Sequence, residues 1–257
     1  MSTQLADPRP QHPTSQANER NRLLRSLEPS VYSLVMDELE LLELARKQML
    51  WPSGSPIRSV YFPRTAVVSL IVPSGDDRPV EAATTGNEGF VGVSVALGVD
   101  STTIVALAQV AGVALRMPAA AFRRFMSEDS RFRFAVLAYT HALLEQAAQS
   151  VVCNRRHELS ERCARWLLMT HDRVGEGAFT LTQDFLAIML GVRRASVTVA
   201  AGMLQRAGFI QYSRGRLEVL DRDGLEAASC ECYRIVVDSY ARSLRAPADR
   251  FITRVVR

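Results

Sequence analysis

Apolar side chains recur along this chain with two different periods, and the change of period divides it. Between Ile57 and Met117 they come in short β-branched runs: Ser59-Val60-Tyr61-Phe62, Ala66 to Val72, and Ile104 to Leu107. Turn-forming clusters at Pro73 to Asp77, Thr85 to Gly89 and Gly98 to Asp100 separate the runs. Short strands at this spacing predict a β-sandwich, jelly roll or small barrel. Upstream, Arg25 to Lys47 reads as helical, with Leu34, Leu41, Leu42 and Leu44 among acidic residues. Downstream, Pro118 opens a short helix to Phe125. After Ser127-Glu128-Asp129, Phe134, Leu137, Leu144, Ala148 and Val151 recur at threes and fours. They predict one helix of roughly 25 residues, about 37 Å long.

The last third is helical again. Leu159 to Asp172 carries Cys163, Trp166, Leu167 and Met169 on its core face and ends at Gly175-Glu176-Gly177. Residues 182–206 read as two short helices, Thr182 to Leu190 and Arg193 to Arg206, hinged at Gly191-Val192. A small hairpin follows, its turn at Arg214-Gly215-Arg216, and Asp221 to Arg245 forms a final amphipathic helical stretch. Two helices about a glycine turn, with a hairpin wing behind them, are a device for placing one helix in the DNA major groove.

On a helical wheel Val197, Ala200, Ala201 and Leu204 form the core face of the second helix, packed against Phe185, Ile188 and Leu190 of the first. The opposite face shows Ala195, Val199, Gly202 and Arg206, with Arg194 and Thr198 at one edge. The leading end carries Arg193, Arg194, Ser196 and Thr198. Arg194 has the reach to bridge O6 and N7 of a guanine, while Ala195 and Val199 suit thymine methyl groups. Thr182 is the expected N-cap, and with Gln183 it would present backbone N–H groups to a phosphate. Arg214 and Arg216 on the wing would hold the backbone or the minor groove. The partner so named is double-stranded DNA. Because such a reader needs two half-sites, the long helix is expected to pair with its twin in a homodimer.

Charge agrees with this placement. The net charge is only +4, but residues 1–150 carry 14 basic and 15 acidic side chains, and residues 151–257 carry 17 and 12. The positive excess therefore lies on the half with the two-helix unit. Lys47 is the single lysine, and the arginine bias runs through the whole chain, so it reflects composition more than function. A 47% hydrophobic content can bury a core, and the length predicts two domains. No apolar signal-peptide core or membrane span is present in the sequence, which predicts a soluble, cytoplasmic protein with reduced thiols.

Residues 180–220 resemble the winged helix-turn-helix of the Crp/Fnr family of bacterial transcription regulators, and the order of parts over 25–245 is similar. The resemblance implies an α+β fold. A jelly-roll-like, cyclic-nucleotide-binding-like β-roll sensor at 21–126 would follow a disordered tail at 1–20. A long dimerisation helix would span 127–156, the winged helix-turn-helix domain 157–245, and a C-terminal tail 246–257. It also implies RNA polymerase as a partner if the protein activates transcription. In the family an arginine, a glutamate and a second arginine read bases. Arg194 matches the first position, but Ala195 and Val199 stand at the other two.

The effector pocket departs as well. By resemblance it would involve Gly89, Phe90, Gly92, Val93, Ser101 and Thr102. Val93 stands where cyclic-nucleotide-binding members have the ribose-binding glutamate. Ser101-Thr102-Thr103 stands where the phosphate-binding arginine belongs, and no arginine lies between Arg78 and Arg116. Cyclic AMP is therefore not expected to bind in the usual way; the effector is unassigned and no cofactor is expected. No cysteine precedes Cys153, so the family's N-terminal iron–sulfur arrangement is missing. Cys153-x3-His157 and Cys230-Glu231-Cys232 remain as soft-ligand candidates. They are read as core residues or free thiols, and no metal site is assigned. The alternative is a redox- or metal-responsive regulator using Cys153, Cys163, Cys230 and Cys232. A cupin-like metalloenzyme is more remote, because none of His12, His141, His157 and His171 falls in the strand-rich region. No catalytic residues are assigned, and the protein is not expected to be an enzyme.

Overall fold

The computed structural model describes residues 15–75, 79–175 and 177–244. Most of the tails expected at 1–20 and 246–257 lies outside these residues. Residues 15–20, within the tail expected to be disordered, carry structure. A short 3-10 turn covers Gln16–Asn18, and Glu19 is buried against Arg64 at 2.5 Å. That ion pair supplies the reason for order which a polar composition conceals.

Two short helices follow, α1 (Arg22–Arg25) and α2 (Pro29–Met36). The expected helix over 25–47 stops there. Glu40–Leu44 is instead strand β1. Five residues of the form Glu-Leu-Leu-Glu-Leu suit either period, and the neighbouring sheet decides. The remaining strands of the β-roll are β2 (Met49–Trp51), β3 (Ser59–Pro63), β4 (Val67–Val72), β5 (Val80–Thr85), β6 (Val105–Val110) and β7 (Gly112–Pro118). A one-turn helix, α3 (Val93–Ala96), lies between β5 and β6. One sheet runs β1-β7-β3 and the other β2-β6-β4-β5, every pair antiparallel. Only Ala111 separates β6 from β7, so the chain passes there from one sheet to the other. Phe62, Phe90 and Phe122 fill the space beside them, with ring centroids 5.2–6.4 Å apart.

Helix α4 (Ala119–Glu128) leads into α5 (Ser130–Arg156), 27 residues long. Asp129 caps α5 by accepting hydrogen bonds from the N–H groups of Arg131 and Phe132. Phe132, Val136, Tyr139, Leu143, Gln146 and Cys153 form its buried face. The C-terminal domain comprises α6 (Leu159–Val174), β8 (Phe179–Thr180), α7 (Gln183–Leu190), α8 (Arg194–Arg206), β9 (Ile210–Ser213), β10 (Arg216–Val219), α9 (Arg222–Ala227) and α10 (Cys232–Ser243). The single helical stretch expected over 221–245 is thus two helices. The Ser229 hydroxyl donates to the Glu226 carbonyl at the end of α9, and the break lets α10 lie along α5, where Tyr240 stacks on Tyr139. Among the described residues no single helix is long and apolar enough to cross a membrane.

Polar contacts join the C-terminal domain to the β-roll, among them the bond from Gln109 Nε2 to Thr170 Oγ1 at 3.0 Å. Two of these junctions involve a buried ionisable group. At the first, Arg173 of α6 reaches into the loop after β5. Its Nε and Nη2 donate to Glu88 Oε1 at 2.9 and 2.7 Å, and Nη1 donates to the Met169 carbonyl at 2.7 Å. Nη2 also meets Gln146 Oε1 at 3.2 Å, and that oxygen accepts the Tyr240 hydroxyl at 3.1 Å. Both charged side chains are buried. Burial works against the charge of Arg173, but Glu88, Tyr240 and Asp172 together more than offset it and hold the arginine's pKa above its ordinary value. At the second junction the Trp166 indole N–H donates to Glu81 Oε1 at 2.8 Å, while Glu81 Oε2 is buried without a partner. Burial raises the pKa of Glu81.

Both junctions are testable. Glu88→Ala leaves a buried, uncompensated arginine and should lower the unfolding free energy by about 3–5 kcal/mol in urea titrations. Adding Arg173→Met should restore most of the loss; equal losses in the single and double variants would show that charge is not the cause. Glu81 binds its proton more tightly in the folded protein than in the unfolded chain. Its burial is therefore free of penalty in acid and costs stability as pH rises through the unfolded and then the folded pKa. Glu81→Gln should raise Tm at neutral pH and leave it unchanged in acid, as read by calorimetry.

Candidate nucleic-acid interface

The axes of α7 and α8 are bent by 102°, within the range of DNA-reading helix pairs. The turn depends on Gly191, at φ 65° and ψ 37°, whose N–H returns to the Ile188 carbonyl. A Cβ there would meet nothing closer than Val80 at 3.8 Å. Space is therefore not the constraint. The left-handed backbone is, at roughly 1–2 kcal/mol for any other L-residue.

Val197, Ala200, Ala201 and Leu204 are buried, as the helical spacing predicts. Of their expected partners on α7, Phe185 and Leu190 are buried, but Ile188 is 38% exposed. Leu186, Ala187 and Met189 are buried instead. Helix α7 is covered on a second side by β5, and Met189 Sδ lies 3.4 Å from Ser69 Oγ of β4. A wheel drawn for one buried face misplaces Ile188 for that reason.

The outward face of α8 is open. Arg194, Ala195, Thr198, Val199 and Arg206 are all exposed, and Ser196 is half-buried. Thr182 caps α7 by accepting the Phe185 N–H at 3.3 Å. The Thr198 hydroxyl donates to Gln183 Oε1 at 2.8 Å, tying the leading ends of the two helices together. Arg194 lies 3.5 Å from Asp184 in a pair exposed on both sides. Water and salt screen such a contact, which leaves the guanidinium available to another acceptor. Arg193 occupies the N-cap position of α8 without a side-chain cap bond, and it too is exposed.

The wing completes the surface. Strands β8-β10-β9 form a small antiparallel sheet, and Arg214-Gly215 turns β9 into β10 with φ of 50° and 77°. Two left-handed residues in a two-residue loop match the twist of a hairpin. The Leu181 N–H donates to the Gly215 carbonyl at 2.8 Å, and the Tyr212 hydroxyl donates to the Leu181 carbonyl at 2.9 Å. These bonds hold the exposed Arg214 and Arg216 beside the start of α7. The eight DNA-contact residues expected from sequence thus lie on the leading ends of α7 and α8 and on the adjoining wing.

The six residues expected around an effector fall in two places. Gly89 and Phe90 lie against Tyr139: the Phe90 and Tyr139 centroids are 5.2 Å apart, and a Cβ on Gly89 would fall 1.8 Å from the Tyr139 ring. Phe90 is fully buried in the aromatic core, a correction to its placement as a pocket residue. Gly92 leads into α3, and Val93 is partly buried against the same core. Ser101 and Thr102 lie on a different loop, where Ser101 bridges to Pro56 and the Thr102 carbonyl accepts the Gly54 N–H. The Tyr139 hydroxyl is 2.9 Å from Thr85 Oγ1.

The cysteines divide as well. Cys163 stands alone in the core of the C-terminal domain, its thiol pushed up to about 12 by burial. Cys153, Cys230 and Cys232 form a separate buried cluster, which His157 joins. The junction residues Arg173, Glu88 and Tyr139 escape the sequence reading. A signal for Arg173 was present, since it follows Met169 by four residues on a face read as core.

Comparison with known proteins follows the same division. Residues 161–228 match the Crp-like helix-turn-helix domain. No curated protein matches the chain by sequence. A CRP-family transcriptional regulator from Thermus thermophilus is 21% identical, with a TM-score of 0.62, over 73% of this chain and 96% of its own. FixK2 from Bradyrhizobium japonicum is 16% identical, with a TM-score of 0.62, over 75% and 98%. The c-di-GMP responsive global regulator CLP from Xanthomonas campestris is 14% identical, with a TM-score of 0.58, over 75% and 99%. The chain thus carries a Crp-like helix-turn-helix domain and, over about three quarters of its length, the α+β fold of Crp/Fnr transcription regulators.

Proposed function

We propose that this protein is a dimeric, sequence-specific DNA-binding regulator of transcription, controlled by an effector other than cyclic AMP bound in the usual way. The observation that carries the reading is the open face of α8, with Arg194 at its leading end and the arginine wing beside it. Helix α5 supports the dimer. Leu137, Leu144 and Val151 stand seven residues apart on its outer side and are 43%, 61% and 71% exposed. Its other face is occupied by the β-roll and α10. An apolar seam of that period fits a second copy of the same helix. Pairing along it would set two recognition helices near one DNA turn apart, roughly 34 Å.

The effector reading rests on Tyr139. Its ring fills the space over Gly89, and the nearby Arg173 is already paired with Glu88, so a phosphate there would be costly to bury. One protein of the same fold responds to c-di-GMP, so the fold itself does not select the effector. An effector that displaces Tyr139 would act on α5 and shift the population between two arrangements of the dimer helices.

In a pull-down of fragmented genomic DNA, the wild-type protein should enrich a common site whether or not cyclic AMP is added. Arg194→Ala should lose about 1–3 kcal/mol of discrimination at one base pair of each half-site. Unchanged site preference in the variant would remove Arg194 as a base reader, and enrichment that required cyclic AMP would reverse the effector reading. Sedimentation should show a dimer for the wild type and a monomer for Leu144→Arg, which places a charge in the seam. A Leu144→Arg dimer would move the interface elsewhere.

A further inference from the structure

The last turn of α5 and the link between α9 and α10 meet at four soft donor groups. Cys153 and His157 are four residues apart at the end of α5, and Cys230 and Cys232 flank Glu231 at the start of α10. All four ligand atoms lie within 4.8 Å of one another. Cys153 Sγ is 3.6 Å from Cys230 Sγ, and Cys232 Sγ is 3.4 Å from His157 Nδ1. The three cysteines are buried and unbonded to one another.

These separations show that no disulfide is formed and are compatible with a metal. A disulfide would need about 2.05 Å between sulfurs. Metal–ligand lengths of about 2.3 Å to sulfur and 2.0–2.1 Å to nitrogen give tetrahedral edges of about 3.8 Å and 3.5 Å. The observed distances are close to those edges. The surroundings also suit a cation site. His157 Nε2 is 3.1 Å from Glu231 Oε1, an arrangement that places the ring proton on Nε2 and leaves the Nδ1 lone pair facing the sulfurs. Gln149 Nε2 donates to Cys232 Sγ at 3.0 Å. Three thiolates with a divalent ion leave one negative charge. Arg165 and Arg162 act on these thiols electrostatically, and the Nε of each is buried without a hydrogen-bond partner.

We propose that Cys153, His157, Cys230 and Cys232 form a closed, four-ligand site for one zinc-class divalent cation. Three sulfurs and an imidazole exclude the oxygen-seeking magnesium and calcium, and four protein ligands leave no open position for catalysis. The cation would clamp α10 to the end of α5 at the hinge from which α6 departs. It would therefore fix where the C-terminal domain sits. The proposal does not depend on the DNA reading, and its test involves no DNA.

Full-length protein purified under reducing conditions should contain one zinc per chain by plasma mass spectrometry. Cys163→Ser should keep it, while Cys230→Ser and His157→Ala should lose it. A second measurement avoids variants that fail to fold. Wild-type protein stripped with a chelator and titrated anaerobically with Co²⁺ should develop thiolate-to-cobalt charge transfer and intense tetrahedral d–d bands. These should saturate at one equivalent and disappear on adding Zn²⁺, and metal should raise Tm above that of the stripped protein. Absence of bound metal together with a weak octahedral cobalt spectrum would overturn the proposal. So would an unaltered cobalt spectrum in Cys230→Ser.

Discussion

The arrangement of the whole chain depends on one buried charge. Arg173 extends from the last turn of α6 into the β-roll, where Glu88, a backbone carbonyl of α6 and Gln146 of α5 receive it. A guanidinium so deeply buried tolerates few alternative positions, since each shift of α6 would strip a charge-assisted bond in a medium that cannot replace it. Hydrophobic contact has no direction, and the hydrogen bonds of Trp166 to Glu81 and Gln109 to Thr170 add to the constraint. Ion pairing admits one docking. Such a pair adds little net stability over well-packed apolar residues, so its effect here is to fix geometry, and with it the direction in which α7 and α8 face.

Helix α5 carries that constraint outward. Its inner side places Tyr139 over Gly89 and Gln146 beside Arg173, while its outer side carries the seam of Leu137, Leu144 and Val151. Residues on one helix cannot move independently along its axis. A shift of α5 that accompanied a move of the Tyr139 ring would therefore also reach the Gln146–Tyr240 contact and the outer seam. The β-roll, the C-terminal domain and the proposed dimer surface thus all meet on one helix. The thiol cluster sits where that element ends, at the hinge into α6.

Long periodic features were legible in the sequence. The strands between Ile57 and Met117, the 27-residue helix and the two helices about Gly191 all follow from spacing, because each is long enough or sharply enough bounded to show its period. Failures came where a segment was short or had two neighbours. Glu40–Leu44 carries too few residues to show a period, and pairing with β7 makes it a strand. Ile188 is exposed because α7 is packed from two sides. The division of 221–245 falls at Ala228 to Glu231, where the Ser229 N–H and hydroxyl both return to the Glu226 carbonyl. At the site, side-chain types suggested which residues would contact DNA, and those residues lie together on one surface. No local pattern revealed that Cys153 and Cys230 would meet, since only tertiary packing brings positions 77 residues apart to 3.6 Å.

The groove face limits how the proposed regulator achieves specificity. Arg194 can supply about 1–3 kcal/mol of discrimination per half-site through a bidentate contact. Ala195 and Val199 have no polar atoms to add, and Arg206 lies at the far end of α8. Two such arginines in a dimer fall toward the lower end of the roughly 4–10 kcal/mol that separates specific from non-specific binding. The remainder has to come from groups that do not read base edges. Arg214 and Arg216 on a rigid turn, the N-terminal N–H groups of α7, and the fixed spacing of two recognition helices all favour a duplex of a particular width and curvature. A reader built this way depends on the docking of its domains more than on its recognition helix. In the proposed regulator, the buried Arg173 and the proposed clamp at the α5 hinge would bear on DNA specificity without approaching the DNA.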